Sequence, residues 1–362
     1  SSAYYFPTAG RIAGVEVLKG PAAISQGPYT VGGAINLIST PIADESGGLI
    51  NQELGQDGTS RTHLHYSAVD TQVAFLVESH TWDTDGFDSI KGSDTDTGFD
   101  KDDILIKLRI NSDPSLDGVY HELNIKYQDS EESSDQSYVG LADADFRKDA
   151  HSRYGLSAYD NMDNSHETTS FNYIADIGNL ELSVTMYDND FARNWFKVDK
   201  IDNKKVYGHG IGINNIIAAA NAGEATASAI LNGTNAEAVE VKLKNNNRAY
   251  ISEGTDLKLQ YTTYNQSLTI GYRDTEDSED RFQVYVTTDW FTGQLGALTV
   301  GSDPGYSSNN RLTKAKATAF YINEEINFGA LTVNVGYRSE DWEISQDRYV
   351  DAARSAIATD KG

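Results

Sequence analysis

A two-residue alternation of apolar and polar side chains runs from about residue 47 to the end of the chain, and it constrains the fold more than any other feature. In the segment DILIKLRI, Ile104, Ile106 and Ile110 lie on one face, while Lys107 and Arg109 lie on the other. The segments LELSVTMY, from 180 to 187, and LTVNVGYR, from 331 to 338, repeat the pattern. Alternation at this period predicts β-strands with one apolar and one polar face.

The connections between these strands alternate in length. Short turns fall at 70–71, 111–118, 178–179, 264–267 and 328–330. Long polar stretches lie near 84–100, 130–165, 199–247 and 290–310, and another begins near 347. Short connections at one end and long ones at the other are typical of an up-and-down antiparallel meander with one elaborated rim.

Strand length and aromatic placement favour a barrel in lipid over a soluble β protein, whose apolar face would point inward. Mean hydropathy is −0.49, and no run approaches the roughly 20 apolar residues of a membrane-spanning helix. Segments 168–177, 181–198 and 315–327 reach the length that a membrane strand needs, about 10 residues. Aromatic residues near strand ends, at 191–196, 289–291, 320–321 and 337–342, predict interfacial girdles.

The pattern contains about 11 strands and still continues where the chain stops. An open sheet edge in lipid would leave backbone groups without hydrogen bonds, so we expect these strands to be about half of a larger barrel.

Charge and composition exclude several classes of function. The net charge is −25, which makes nucleic acid a poor partner, and no cysteine is present to form a disulfide or a thiolate site. The chain has no GxSxG, HExxH or phosphate-loop motif, so we do not expect an enzyme.

The stretch EVLKGPAAISQGPYTVGGAINLIST, from residue 16 to 40, predicts two short strands separated by turns. The pair Gly32 and Gly33 lacks Cβ atoms, so another backbone segment can lie close to it. Placed directly before a long β meander, this stretch resembles the end of the plug domain of TonB-dependent outer-membrane receptors, which have a barrel of about 22 strands. The resemblance rests on VEVLKGP at 15–21, Gly27, GGAIN at 32–36 and Thr40.

This resemblance implies an all-β fold with two parts. Residues 1–46 are the C-terminal part of a plug domain, and residues 47–362 are the N-terminal half of a transmembrane antiparallel β-barrel. The TonB box and the first part of the plug are expected upstream of Ser1, and the remaining strands downstream of Gly362. By resemblance, the plug packs against the barrel wall through a motif that consists of Glu16, Lys19, Gly20, Pro21, Gly27, Gly32, Gly33 and Asn36. Glu16 and Lys19 are expected to pair with charges of the wall.

The segments QGPYTVGGAINLIST (26–40), GLADADFR (140–147), DFARNWFKV (190–198) and FYINEEINFGALTVNVGYR (320–338) are most similar to the ferric-citrate branch of the family. The implied function is active transport of an iron chelate, ferric citrate or a carboxylate-type siderophore, across the Gram-negative outer membrane. The implied partners are the TonB–ExbB–ExbD energy-coupling complex, the chelate, and outer-membrane lipid with lipopolysaccharide. A receptor for a carbohydrate or cobalamin is the first alternative, and a soluble extracellular binding protein is the second.

An anionic chelate in so acidic a chain requires local cations, and arginine binds carboxylates in a bidentate manner. The candidate ligand-binding residues on the long-loop side are Arg311, Arg193, Arg153, Arg147, Arg248 and His166. Arg311 ranks first, because the ferric-citrate receptors place a ligand-contacting arginine near this position. His166 is expected at the end of the third long loop. We predict no cofactor and no metal site, with iron present only in the chelate. The acidic stretch 83–103 is interpreted as a solvated loop or as a weak site for a divalent ion.

Overall fold

The computed structural model describes residues 7–27, 32–115, 118–202, 207–301 and 309–361. Its strands are β1 (Ile12–Leu18), β2 (Ala34–Ser39), β3 (Gly47–Leu54), β4 (Ser60–Val69), β5 (Val73–Thr84), β6 (Ser89–Ile90), β7 (Phe99–Asn111), β8 (Tyr120–Ser134), β9 (Ser152–Arg153), β10 (Asn161–Ile177), β11 (Leu180–Asp202), β12 (Gly210–Gly212), β13 (Val239–Thr262), β14 (Gln266–Phe291), β15 (Gln294–Leu295), β16 (Thr299–Val300), β17 (Asn310–Phe328), β18 (Leu331–Tyr349) and β19 (Ile357–Lys361). The α-helices are α1 (Asp143–Lys148), α2 (Ile213–Asn221) and α3 (Ala225–Leu231), and short 3-10 helices span Ala9–Arg11, Gly20–Gln26 and Gly155–Ser157. Within the described ranges, no helix is long and apolar enough to cross a membrane.

One antiparallel sheet contains most of the chain. In the described residues its path has twelve strands in chain order, from β3 to β19, and the short strands β12, β15 and β16 pair onto it at the side. Each long strand pairs with the preceding and the following long strand, so backbone donors and acceptors are satisfied locally. The predicted up-and-down antiparallel sheet is therefore confirmed, with short turns at one end and long connections at the other.

The two faces of this sheet have the polarity of a membrane barrel. The exposed face carries apolar side chains near the short-turn end of the strands, among them Val77, Ile106, Phe171, Met186, Leu257, Phe320 and Val335. The opposite face is polar and largely buried, and its side chains include Glu78, Asp103 and Gln128. A soluble sandwich buries its apolar face, so this inversion is what an outer-membrane sheet requires.

Only part of the predicted aromatic girdle faces outward. Phe320 and Tyr337 lie on the exposed face near the edge of the apolar band, as expected. Phe191 and Trp290 were predicted at the same interface, and for them the prediction is wrong because both are buried. Phe191 instead lies on the polar face, stacked on Tyr250, and Trp290 lies beyond the apolar band, packed among the long connections.

The long connections have a hydrophobic core of their own. Helices α2 and α3 pack on the upper ends of β11, β13 and β14, and Trp290 is buried at the centre of this cluster. The indole Nε1 of Trp290 donates a hydrogen bond to the carbonyl of Ile230, at 2.7 Å. The alanine-rich segment 213–231 forms two helices and not one, because the chain turns at Gly223 with a φ of +87°.

The N-terminal segment, of which the structure describes residues 7–27 and 32–40, contains a separate two-stranded sheet, β1 and β2, and lies against the polar face of the large sheet. Its main anchor is Arg11, whose side chain is 2% exposed and whose Nε lies 3.2 Å from Oδ1 of Asp103 on β7. Thr8 Oγ1 donates a hydrogen bond to Oδ2 of the same carboxylate, at 2.8 Å. Lys107 Nζ donates to the carbonyl oxygen of Thr40, at 2.6 Å. Polar contacts therefore hold this segment against the wall.

Glu16 and Lys19 do not make the expected wall contacts. Glu16 accepts a hydrogen bond from Asn36 on the neighbouring strand, at 3.0 Å, and Lys19 is exposed. Neither forms an ion pair with the large sheet in the part of the chain that the structure describes. Glu16 lies on β1 and Lys19 directly follows that strand, and both are exposed, whereas Arg11 precedes β1 and its side chain contacts the wall.

Gly33 has the close backbone approach that its sequence predicts. Its φ is +118°, and a Cβ atom built there would lie 2.6 Å from the carbonyl oxygen of Leu18. Gly20 and Gly27 also have positive φ, and Gly32 has open space where a side chain would begin. Pro21 lies in the 3-10 helix Gly20–Gln26.

Replacing Asp103 by Ala is expected to loosen the N-terminal segment. The change leaves the buried Arg11 charge without its carboxylate, which typically costs about 3–5 kcal/mol. The measurement is the urea concentration at which a protease begins to cleave within residues 7–40. Glu16→Ala is the control and should move that concentration little, because its hydrogen bond is exposed. Equal sensitivity of the two variants would contradict the anchoring role of the Arg11–Asp103 pair.

Replacing Trp290 by Ala should unfold the cluster of α2 and α3 while the sheet below stays intact. Truncation of a buried aromatic side chain costs about 3–5 kcal/mol, and this one also removes the hydrogen bond to Ile230. Hydrogen exchange of amides in 213–231 should accelerate strongly, with no change in β4 and β5. Protection that stays unchanged in both regions would show that Trp290 does not hold the cluster together.

Candidate ligand-binding site

A row of five arginines crosses the polar face on five adjacent strands. Arg193 on β11 lies opposite Arg248 on β13, and Arg248 lies opposite Arg281 on β14. The row continues across β17 and β18 through Arg311 and Arg348, which are again directly opposite their neighbours. Adjacent strands are about 4.8 Å apart, so this arginine row is about 19 Å wide.

Like charges placed directly opposite one another destabilise a sheet, and this row is only partly compensated. Glu279 bridges two members: its Oε2 is 2.7 Å from Arg311 and its Oε1 is 3.4 Å from Arg248. Two other members donate hydrogen bonds to uncharged side-chain amide oxygens: Arg281 donates to Gln283, and Arg348 donates to Gln346. Arg248, Arg281, Arg311 and Arg348 together carry more positive charge than the single carboxylate of Glu279 balances.

The guanidinium groups are partly removed from solvent: Arg193 is buried, and the other four arginines are half-buried. Burial lowers the pKa of Arg281, and the neighbouring charges of Arg248 and Arg311 lower it further. The Nε atoms of Arg248, Arg281 and Arg311 are buried and have no hydrogen-bond partner among the described residues. These donors and this excess charge suit an anion, above all one with carboxylate groups.

Aromatic side chains border the row on both sides. On the side nearer the short turns, Phe191 and Tyr250 are stacked with ring centroids 6.0 Å apart, and His166 contacts Phe191 edge-on. On the other side, Lys197 Nζ lies 3.4 Å from the ring centroid of Tyr138 and 3.7 Å from that of Trp195. Ordered rings around cationic groups form a surface that can contact both the charged and the apolar parts of a ligand.

Two ionisable groups beside Tyr138 and Trp195 have shifted pKa values. Burial lowers the pKa of Lys197 to about 8. Burial raises the pKa of Asp160 to about 6, although the backbone amides of Val198 and Tyr138 donate hydrogen bonds to its carboxylate, at 2.8 and 3.0 Å. The charge at this edge of the site therefore changes with pH, because Asp160 loses its proton near its pKa of about 6 and Lys197 loses its proton near its pKa of about 8.

A cavity of about 490 Å³ separates the arginine row from the N-terminal segment. Its floor includes Gln26 and Gly27, and its wall includes Asp277 and Arg338. Two more arginines tie that floor to the sheet: Arg273 donates to the carbonyl of Gln26, at 3.2 Å, and Arg338 donates to that of Ile24, at 3.4 Å. A molecule bound at the arginine row would thus sit directly above the N-terminal segment.

The structure brings together three of the six candidate ligand residues, Arg193, Arg248 and Arg311. His166 lies beside them on β10 and not in the third long loop, because β10 begins five residues earlier, at Asn161. Its ring contacts Gln128 and Thr168 at 3.0 and 3.1 Å.

Arg153 and Arg147 lie elsewhere. Arg153 forms an ion pair with Asp88 at 2.5 Å, where β9 pairs with β6, and Arg147 is exposed on α1. Both belong to the packed long connections and not to the polar face of the sheet.

Sequence reasoning missed Arg281 and Arg348, although a signal was present. In an antiparallel hairpin, residues at equal distances from the turn lie opposite each other. Arg281 mirrors Arg248 across the short turn after β13, and Arg348 mirrors Arg311 across the turn after β17.

No protein-family model and no curated protein matches this chain. Among solved structures, the ferric citrate transporter FecA, unliganded, matches at 16% identity and a TM-score of 0.61, over 96% of this chain and 45% of that one. The siderophore receptor PiuA from Acinetobacter baumannii matches at 15% identity and a TM-score of 0.67, over 97% and 50%. The ferric-catecholate import receptor Fiu from E. coli K12 matches at 14% and 0.59, over 96% and 53%.

These three proteins are named as a transporter or as receptors and not as enzymes, which agrees with the sequence expectation. Ferric citrate is the cargo of only one of them, so the comparison does not single out that branch. This chain spans about half the length of each. Its large antiparallel sheet therefore has the same fold as about half of each of these structures.

Proposed function

We propose that this chain is part of a TonB-dependent outer-membrane receptor that imports an anionic iron chelate, ferric citrate or a carboxylate-type siderophore. In this proposal residues 1–46 are the end of the plug domain and residues 47–362 are the first half of the barrel. The arginine row is the observation that carries the proposal, because five guanidinium groups placed side by side on adjacent strands favour an anion over a neutral or cationic solute.

The chemistry of the row supports a ligand with several carboxylates. A planar guanidinium forms two parallel hydrogen bonds to one carboxylate, and such charge-assisted pairs are about twice as strong as neutral ones. A ligand that accepts hydrogen bonds from the Nε atoms of Arg248, Arg281 and Arg311 would also give these buried donors the partners that they do not have within the described residues. The bordering aromatic rings exclude water from the same surface.

The contacts of the N-terminal segment support coupling between binding and transport. The carbonyl groups of Gln26 and Ile24 accept hydrogen bonds from Arg273 and Arg338, below the proposed ligand. In the proposal the ligand shifts this floor, and force from the TonB–ExbB–ExbD complex then withdraws the plug from the wall. Because the plug is held by a small number of polar contacts, a pulling force can release it without disrupting a hydrophobic core.

The exposed apolar band supports a location in the outer membrane, with lipid and lipopolysaccharide as its surroundings. The first alternative remains a receptor of the same fold for a carbohydrate or for cobalamin. The second, a soluble extracellular binding protein, conflicts with the large outward-facing apolar surface.

Replacing Arg281 by Gln should weaken binding of ferric citrate about 10- to 100-fold, since a hydrogen bond to a charged group contributes about 1.5–3 kcal/mol. Arg311→Gln should act similarly. The measurement is isothermal titration of the detergent-purified receptor that carries this chain. Arg147→Gln is the matched control and should leave the dissociation constant unchanged, because Arg147 is exposed on α1.

The same titration with a neutral chelate or with cobalamin distinguishes the alternatives. An anionic ligand at the row would be ruled out if the neutral chelate or cobalamin bound as tightly as ferric citrate and the Arg281→Gln variant bound ferric citrate with an unchanged dissociation constant.

Replacing Ile106 by Arg should hinder folding of the receptor into phospholipid vesicles. Ile106 lies in the middle of the apolar positions of β7, and an arginine on the lipid face near the bilayer centre costs about 2–4 kcal/mol. Asp102→Arg, on the same face beyond the apolar band, is the control and should cost little. The measurement is the guanidinium dependence of tryptophan fluorescence in vesicles. Equal stability of both variants would favour the soluble alternative.

A further inference from the structure

A second cluster of chemically active side chains lies on the polar face, away from the arginine row. His63 on β4 and His80 on β5 lie directly opposite each other in register, and Glu78 is two residues before His80 on the same face. His63 Nε2 is 2.8 Å from Glu78 Oε1, and His80 Nε2 is 3.6 Å from the same oxygen. The two imidazole rings are stacked, with centroids 3.7 Å apart.

Hydrogen bonding within the protein leaves this cluster incomplete. His80 is 2% exposed, and both of its ring nitrogens are buried without a hydrogen-bond partner among the described residues. Oε2 of the fully buried Glu78 also has no hydrogen-bond partner among the described residues. Each such group costs about 1–3 kcal/mol when it is left unpaired. The pair of His63 and Glu78 is a satisfied hydrogen bond, but it does not account for His80.

We propose that His63, Glu78 and His80 bind a transition-metal dication of the Zn²⁺ type. Two neutral imidazoles and one carboxylate form a common donor set for such ions. One ligand atom of each residue lies within 4.8 Å of those of the other two. Because Zn–N and Zn–O bonds are about 2.0–2.2 Å long, side-chain shifts on the order of 1 Å close the site around an ion.

The charges around the cluster are compatible with a cation. Arg11 is already neutralised by Asp103, and Lys107 is directed toward the carbonyl oxygens of Ser39 and Thr40. Glu78 supplies a negative charge to the ion itself. Binding requires the lone pair of His63 Nε2, so the proton that Nε2 shares with Glu78 moves to Nδ1 of the same ring or leaves to solvent.

The site is covered by the N-terminal segment. A Cβ atom on Gly10 would lie 2.6 Å from Cε1 of His80, so the backbone at Gly10 rests on this imidazole. Thr40 Oγ1 lies 3.0 Å from Glu78 Oε1 and is a polar group of the N-terminal segment at the edge of the cluster. A metal ion would therefore fix β4 and β5 where they contact both ends of that segment. This inference does not depend on the nature of the transported ligand.

The test uses the tag-free receptor in detergent, stripped with a chelator and then titrated with Zn²⁺ by calorimetry. We expect one ion per chain, and at least about tenfold weaker binding in His80→Ala and in His63→Ala. His121→Ala is the control: His121 lies on β8, where its ring contacts the hydroxyl of Tyr173 at 2.7 Å, outside the cluster, and its removal should leave the affinity unchanged.

Co²⁺ provides a readout that does not depend on how well the variants fold. Bound to the wild-type receptor it should show ligand-field bands typical of nitrogen and oxygen donors, and Zn²⁺ should displace it. No uptake of Zn²⁺ or Co²⁺ by the wild type would overturn the proposal. The proposal would also be overturned if the His63→Ala variant bound Zn²⁺ as tightly as the wild type. This variant is expected to fold, because the His63 side chain is only half-buried.

Discussion

The inverted polarity of one large sheet is the constraint on which the rest of this structure depends. Apolar side chains face outward and polar side chains face the interior, so the interior face has no hydrophobic core to hold other elements against it. Whatever lies inside must be held by ion pairs and hydrogen bonds. The N-terminal segment is held in this way, through Arg11, Thr40 and the wall residues Asp103 and Glu78. Hydrophobic packing appears instead among the long connections, around Trp290.

The same polarity explains how so acidic a chain can hold an anion site. Many of its carboxylates lie on the outer face just beyond the apolar band, including Asp102, Glu167, Asp188, Glu253 and Asp274. The arginine row lies on the opposite face, and the sheet separates the two. Solvent and salt screen the outer charges, so a chain with a net charge of −25 can present a row of cations on its inner face.

The hairpins could be predicted from the sequence because each depends on local information. Strand alternation and a short turn together specify which residues face each other, as they do for Arg248 with Arg281 and for Arg311 with Arg348. Pairing across a long connection is different, since the length of such a loop says nothing about register. The match of Arg193 with Arg248 spans the connection that contains α2 and α3, and for that reason the complete row could not be predicted.

The sequence by itself determined the strand alternation, the alternating loop lengths, the glycine-rich N-terminal motif and therefore the class of fold. These follow from short-range rules of backbone geometry and side-chain polarity. The tertiary structure alone decided that Arg11, and not Glu16 or Lys19, anchors the N-terminal segment. It also decided that His63 meets Glu78 and His80, and that five arginines form one row. Such contacts join residues that are distant in the chain, and only the register of the paired strands brings their side chains within a few ångströms of each other.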